Sequence, residues 1–385
     1  MEVYLDNCST TKPREEVIED VIYFLREEYG NPSSLHRLGF NIEKKVENIR
    51  ESIGRFLEVT KDEIYFTSGG TESNNIAIQS IINKYSRKGK HIITTRIEHS
   101  SVLNIMKYYE QKDFNITYLG VDNNGIISLD ELKESIRGDT ILISIMQVNN
   151  EIGSIQPTWE IKRLLNEKKS KALIHVDGIQ AFGKVPLDLK DWGIDAFSFS
   201  GHKIYGPKGI GGLYINRNLS LDPIIFGGNQ ERGLRSGTEN VPGIMGLGKA
   251  VEIIDKNFRK EREKVKDIKS YFINKLEKEI DYIHINSPLD EEHSPYVLNV
   301  SFEYVRGEVL LHYLEDKGIY VSTGSACSSR GTEKSYVLSQ LGLSNRQIEG
   351  AIRFCFSYEN TKEEIDYTIE ILKNSIEEIR QITMR

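Results

Sequence analysis

Asp195-Ala-Phe-Ser-Phe-Ser-Gly-His-Lys203 begins as a buried strand and stops abruptly in small polar residues and a cation. Continuous apolar runs of this kind suit strands covered on both faces, which belong to mostly parallel sheets. Such a strand delivers its last side chains to one edge of the sheet. Upstream, Ala172-Leu-Ile-His-Val-Asp-Gly178 ends a second apolar strand in Asp177, so a carboxylate and a lysine arrive at the same edge. That pair is what a pyridoxal phosphate site needs: the lysine forms a Schiff base and the aspartate holds the pyridine nitrogen protonated. Each motif alone reads equally as a surface lysine after an edge strand or an aspartate capping a helix. Their pairing is what points to chemistry.

Working outward, further strands are expected at Ile64–Thr67, His91–Thr95, Ile141–Met146 and Gly212–Ile215. Amphipathic segments of crossover-helix length lie among them, at Ser101–Gln111, Leu129–Ile136 and Trp159–Lys168. This alternation predicts an α/β domain. From about Pro242 the texture changes. A long charged helix over Gly243–Ile280 leads to short strands at Val297–Phe302, Ile319–Ser322 and Ile352–Phe356, then to a helix from Thr361. That second region predicts a smaller α+β domain, and with no flexible linker in sight the two should pack closely.

The 385 residues are too many for one simple core, and 38% hydrophobic with 28% charged residues is ordinary for a globular protein. A net charge of −7 argues against a nucleic-acid face. The start, Met1-Glu-Val-Tyr-Leu-Asp, lacks a secretory pattern and no apolar run approaches a membrane span, so a cytoplasmic protein without a membrane partner is expected. Eight histidines without a metal-type pair give no support for a metal site. Three cysteines, Cys8, Cys327 and Cys355, argue against a disulfide framework and for a reactive thiol.

Ile64-Tyr-Phe-Thr-Ser-Gly-Gly-Thr-Glu-Ser runs from strand through glycine turn to helix start. Unpaired backbone N–H groups and the Thr71 hydroxyl at a helix N-terminus suit a phosphate, although the same turn commonly serves only as a cap. Ser200 and His202 stand beside the lysine as further donors.

With these residues in view, the chain resembles the NifS/IscS-type cysteine desulfurases, in the class V branch of the fold-type I pyridoxal phosphate enzymes. The matching segments include Tyr4-Leu-Asp-Asn, Gly30-Asn-Pro-Ser-Ser-Leu-His, Phe66-Thr-Ser-Gly-Gly-Thr-Glu-Ser, Glu98-His99, Val148-Asn-Asn-Glu-Ile-Gly, His175-Val-Asp-Gly-Ile-Gln, Phe199-Ser-Gly-His-Lys-Ile-Tyr-Gly-Pro-Lys-Gly, Glu231-Arg-Gly-Leu-Arg-Ser-Gly-Thr and Gly324-Ser-Ala-Cys. The resemblance covers nearly the whole chain. It implies a large domain over residues 14–250 with a mostly parallel seven-stranded sheet, and a small domain from residues 1–13 and 251–385 that carries the catalytic cysteine loop. It further implies a homodimer that takes sulfur from L-cysteine as a persulfide, leaves L-alanine, and passes the sulfur to an acceptor, an iron–sulfur scaffold or a tRNA-thiolation enzyme.

Carried over residue by residue, the resemblance makes Lys203 the Schiff-base lysine and proton shuttle, and Asp177 the partner of the pyridine nitrogen. His99 stacks on the ring and assists proton transfer. Asn150 and Gln180 hydrogen-bond around the cofactor's ring oxygen and the substrate. Gly70, Thr71, Ser200, Gly201 and His202 hold the phosphate, with Thr238 reaching it from the other subunit. Arg353 clamps the substrate carboxylate, a task that suits a planar bidentate donor. Cys327 carries the persulfide, with a transient iron–sulfur cluster as its only metal partner. It sits in Ser322-Thr-Gly-Ser-Ala-Cys-Ser-Ser-Arg-Gly, whose glycines and small residues predict a mobile loop.

Three departures from the family pattern stand out. Cys8 replaces an alanine or serine, Gly70-Thr71 replaces Ala-Thr, and Cys355 and Ser357 replace the serine and glycine after Arg353. Strand alternation puts Cys355 on the face of Arg353, so its thiol is expected toward the substrate. A selenocysteine lyase or a class V aminotransferase would keep Lys203 and Asp177 without needing Cys327. A catalytically weak scaffold for sulfur acceptors is the reading from a different class.

Overall fold

A computed structural model describes residues 1–324 and 334–383. The strands are β1 (Val3–Tyr4), β2 (Ile64–Thr67), β3 (His91–Thr95), β4 (Asn115–Leu119), β5 (Thr140–Met146), β6 (Leu173–Asp177), β7 (Ala196–Ser200), β8 (Gly211–Ile215), β9 (Ile283–Ile285), β10 (Val297–Phe302), β11 (Ile319–Tyr320) and β12 (Ala351–Cys355). A seven-stranded sheet runs β2-β8-β7-β6-β5-β3-β4. Its central neighbours pair in parallel, and only β8 runs against the rest. The expected α/β architecture is therefore present. Helices α1 (Glu15–Arg26), α2 (Arg37–Phe56), α3 (Gly70–Tyr85), α4 (Ser100–Glu110), α5 (Leu129–Ser135) and α6 (Ile161–Glu167) flank the sheet or connect its strands.

Two apolar layers hold the sheet. Ile143, Ile145, Ile174, Val176, Phe197 and Phe199 pack on one face against Ile244, Leu247 and Val251. Ile76, Ile81, Ile92, Val102, Met106, Leu142 and Leu213 fill the other. Each of these buried side chains contributes on the order of 1.5–3 kcal/mol by leaving water.

The second body is an antiparallel sheet, β12-β10-β9, covered by α8 (Gly307–Asp316) and α9 (Lys362–Thr383). One helix, α7 (Val241–Glu279), joins the cores. Its Ile244, Leu247 and Val251 belong to the large-sheet core, while Val265, Ile268, Phe272 and Leu276 belong to the small one. The N-terminus also enters the small body. β1 pairs in parallel with β11, Val3 and Leu5 join the same apolar cluster, and Asp6 bridges to Cys355.

One expectation is overturned. Cys8 and Cys355 are joined in a disulfide across 347 residues of sequence. Their spacing gave no hint, because the pair exists only after the N-terminal segment lies along β12. Cys355 does share the strand face expected of it, but its side chain is fully buried against Cys8 and Val297. Cys8, rather than Cys355, forms part of the cavity wall described next.

Candidate active site

The parallel strands end at one edge of the sheet, where ligands bind in open α/β folds. The turns after β2, β3, β5, β6 and β7 bring Gly70, His99, Asn150, Gln180 and Lys203 together there. A cavity of about 380 Å³ is lined by Gly70, Thr71, His99, Asn150, Asp177, Gln180, Ser200, His202, Lys203 and Arg353. Gly201, whose backbone N–H donates to Ile210, is buried between two of these residues. Thr238 stands apart, at a separate cavity beside Arg235 and Gly209. Cys327 lies outside the described residues.

Asp177 ends β6 and is buried. Its oxygens accept from Asn74 Nδ2 at 2.8 Å and from the Ile179 N–H at 3.1 Å. Burial pushes this carboxyl up, while His99, these donors and Lys203 pull it back down. Asn74 also donates to Ser101 Oγ at 2.9 Å, and that oxygen lies 2.9 Å from His99 Nδ1. The Ser101 backbone N–H donates to the same nitrogen, so Nδ1 acts as an acceptor and the ring proton belongs on Nε2. Asp177 and His99 are thus positioned through one amide and one hydroxyl. Neither Asn74 nor Ser101 was singled out by the sequence.

At the start of α3, Gly69 has φ of +151°, a region essentially reserved for glycine, and the helix has no side-chain cap. Ser200 Oγ is buried without a hydrogen-bond partner, and it would lie 3.8 Å from a Cβ placed on Gly69. An uncapped helix start beside an unsatisfied buried hydroxyl fits a phosphate. Burial, with Lys203 next in effect, lowers His202 to about 4. Pyridoxal phosphate therefore fits this cavity: Gly70, Thr71 and Ser200 would hold the phosphate, Asp177 the ring nitrogen and Lys203 the aldehyde carbon.

Lys203 Nζ donates to the carbonyls of Cys8 at 2.6 Å and Ser9 at 2.7 Å. Arg353 reaches the cavity from β12. Its terminal nitrogens donate to Asp6 Oδ1 at 2.9 Å, Ser9 Oγ at 2.8 Å and the Asn150 carbonyl at 2.9 Å. Arg353 Nε and Asn150 Oδ1 are buried without partners, a donor and an acceptor fit for a small amino acid. Gln180 donates to the Cys8 carbonyl at 2.9 Å and accepts from Lys184 at 3.1 Å. Among the described residues, no group of three or more His, Cys, Asp or Glu side chains could hold a metal ion, and no helix is long and apolar enough to cross a membrane.

The family model described as aminotransferase class V matches residues 3–368. The chain belongs to the class V aminotransferase family. It is 45% identical over 382 residues to cysteine desulfurase IscS of Dictyoglomus turgidum, covering 99% of this chain and 96% of the relative. It is 44% identical to cysteine desulfurase IscS of Methanosarcina thermophila, with 99% and 93% covered. Among solved structures it is similar to one titled NifS-like protein, at 40% identity and a TM-score of 0.92, covering 98% of this chain and all of the other. It is also similar to one titled SspA in complex with cysteine, at 34% identity and a TM-score of 0.82 with 93% of this chain covered. The fold is thus that of the fold-type I pyridoxal phosphate enzymes, and the chain is a member of that enzyme class.

Glu98, beside His99, is a buried acid that the sequence offered only as part of a motif. Its Oε1 accepts from the Met146 N–H at 2.9 Å and the Thr95 hydroxyl at 2.8 Å. Burial raises its pKa to about 8, with Asp177 adding to the shift. Between its ordinary 4.5 and about 8 the folded chain keeps a proton that the unfolded chain has released. Stability from this group therefore falls as pH rises through that window. Glu98→Gln keeps the accepting oxygen and removes the titration. The wild type should lose stability from pH 5 to pH 8 relative to this variant, by on the order of a few kcal/mol. Thermal melts across that range check it, and parallel curves would remove Glu98 from the account.

Proposed function

We infer that the chain is a pyridoxal-phosphate-dependent cysteine desulfurase that takes sulfur from L-cysteine and passes it on from Cys327. The observation that carries this reading is the cavity where Lys203, Asp177, His99 and Arg353 converge, in a chain matched end to end by cysteine desulfurases. When bound, pyridoxal phosphate supplies an electron sink for the substrate's α-carbon. The chain's own groups do the rest. Arg353 takes the substrate's carboxylate, and Asn150, whose Oδ1 is buried without a partner, hydrogen-bonds beside the substrate. Lys203 Nζ moves the α-proton, and its contacts with the Cys8 and Ser9 carbonyls set where that nitrogen waits. His99 lines the same cavity while Ser101 holds its Nδ1.

The Cys327 thiolate attacks the substrate sulfur. Net, L-cysteine and the Cys327 thiol become L-alanine and a Cys327 persulfide, so the sulfur changes carrier without an external oxidant. We further propose the division into residues 14–250 and residues 1–13 with 251–385, a cytoplasmic homodimer in which Thr238 serves the partner's phosphate site, and delivery to an iron–sulfur scaffold or a tRNA-thiolation enzyme. The test is an assay of the holoenzyme with L-cysteine and a thiol reductant. Equimolar L-alanine and sulfide are expected, whereas amino-group transfer to a keto acid, or turnover of selenocysteine alone, would replace this reading with the aminotransferase or the lyase.

A further inference from the structure

The turn at residues 6–9 touches three functional side chains. The Cys8 and Ser9 carbonyls hold Lys203, the Cys8 carbonyl also accepts from Gln180, and Asp6 with Ser9 holds Arg353. The disulfide between Cys8 and Cys355 fastens this turn to the strand that carries Arg353. Hydrogen bonds from the residues before Cys8 already hold its turn against Cys355. Cys355 N–H donates to the Leu5 carbonyl at 2.6 Å, and the Asn7 backbone N–H and side-chain Nδ2 donate to the Cys355 carbonyl at 3.4 and 2.9 Å. The 5.6 Å between their Cα atoms lies in the range a disulfide needs, and the Asn7 bonds to the Cys355 carbonyl do not depend on the sulfurs.

The two thiols are not equivalent. Cys355 is fully buried against Val297, while Cys8 forms part of the cavity wall. Bonded sulfurs lie about 2 Å apart, whereas unbonded heavy atoms settle at roughly 3.5–4 Å. Opening the bond therefore displaces a sulfur by more than about 1 Å, and of the two residues Cys8, itself 2% exposed, is the one that borders the cavity.

We propose that Cys8 and Cys355 form a reversible oxidation site in the wall of the substrate cavity, closed by a small hydroperoxide and opened by a dithiol. In the open form the Cys8 thiol enters the space between Lys203 and Arg353. The closing step balances. The Cys8 thiolate displaces an alcohol or water from the hydroperoxide to give a sulfenic acid, and the Cys355 thiol displaces water from that sulfur. Two thiols lose two electrons, and the hydroperoxide gains them. Opening by a dithiol returns both thiols and leaves the reductant as its disulfide. Because the open thiol crowds the substrate's carboxylate end, the closed enzyme binds amino acid more tightly. This rests on the reading of the cavity as the L-cysteine site.

The test uses the holoenzyme with Cys327→Ser, so that only these two thiols react. Hydrogen peroxide should yield a peptide linking Cys8 to Cys355, and dithiothreitol should open it. In the open form iodoacetamide should label Cys8 ahead of Cys355, with L-alanine slowing the labelling. L-Alanine should bind at least about fivefold more weakly after reduction, the low end of the cost of crowding a packed site. The Cys8→Ser, Cys355→Ser double variant should lose that difference. Absence of the linked peptide, equal labelling of both thiols, or equal L-alanine affinity in the two states overturns the proposal. Peptide mapping does not depend on turnover, so an enzyme that forms the link but fails to desulfurise L-cysteine counts against the function and not against the oxidation site.

Discussion

Lys203→Ala should lose covalent attachment of pyridoxal phosphate and at least about 10³-fold of its turnover. Lys203 follows β7 into the cavity, where its amine is held by two carbonyls within reach of the groups that would bind the cofactor. The neighbouring lysine does not replace it. Lys184 is buried behind Gln180, and burial together with Lys203 and Arg353 lowers it to about 7. Its amine is tied to Gln180 Oε1 rather than aimed at the cavity, and it does not line that cavity. Borohydride reduction followed by peptide mapping checks the assignment. Label found on Lys184, or undiminished alanine production by Lys203→Ala, would refute it.

The parts of this protein that were legible in the sequence are those whose physics is local. β5 and β7 are buried along their whole lengths and β6 at every residue but Leu173, so they read as largely apolar runs, and Asp177 and Lys203 stand at or just beyond the ends of β6 and β7. β4 was missed. It is an edge strand whose burial rises from an exposed Asn115 to a buried Leu119, and Asn-Ile-Thr-Tyr-Leu carries no such run. The expected strand at Ile319–Ser322 shortens to Ile319–Tyr320, because its partner β1 is itself only two residues long, although Ser322 still bridges to Arg353.

The same distinction separates the site residues. Lys203 and Asp177 announce themselves as charges at the ends of apolar strands. Asn74, Ser101, Asp6 and Ser9 do not, since each acts only through a partner that the topology brings near. Asp6 meets Arg353 across 347 residues of chain, and Asn74 meets Asp177 across 103. Asn74 left one faint signal, standing three residues after Thr71 on α3 and so near the cavity-facing side of that helix. The disulfide is the sharpest case. Cysteine count argued against it, while packing of the N-terminal turn along β12 made it.

Cys327→Ser should have the second large effect. The variant should still bind pyridoxal phosphate and L-cysteine, since Lys203, Asp177, the helix start of α3 and Arg353 form the cavity without it. Sulfur transfer should fall by at least about 10³-fold, because a hydroxyl is a far poorer nucleophile toward sulfur than a thiolate. The other thiols offer no substitute while they are bonded to each other. Unchanged affinity for L-cysteine with lost transfer is the expected signature. Lost affinity would instead make Cys327 part of the binding site.

The central claim is that sulfur leaves L-cysteine by way of one named thiol, and the most direct measurement is where that sulfur goes. Wild-type holoenzyme incubated with sulfur-labelled L-cysteine, alkylated without reduction and mapped by mass spectrometry, should carry the label as a persulfide on the peptide containing Cys327. Label on Cys8 or Cys355, or L-alanine formed with no protein-bound sulfur, would contradict the account.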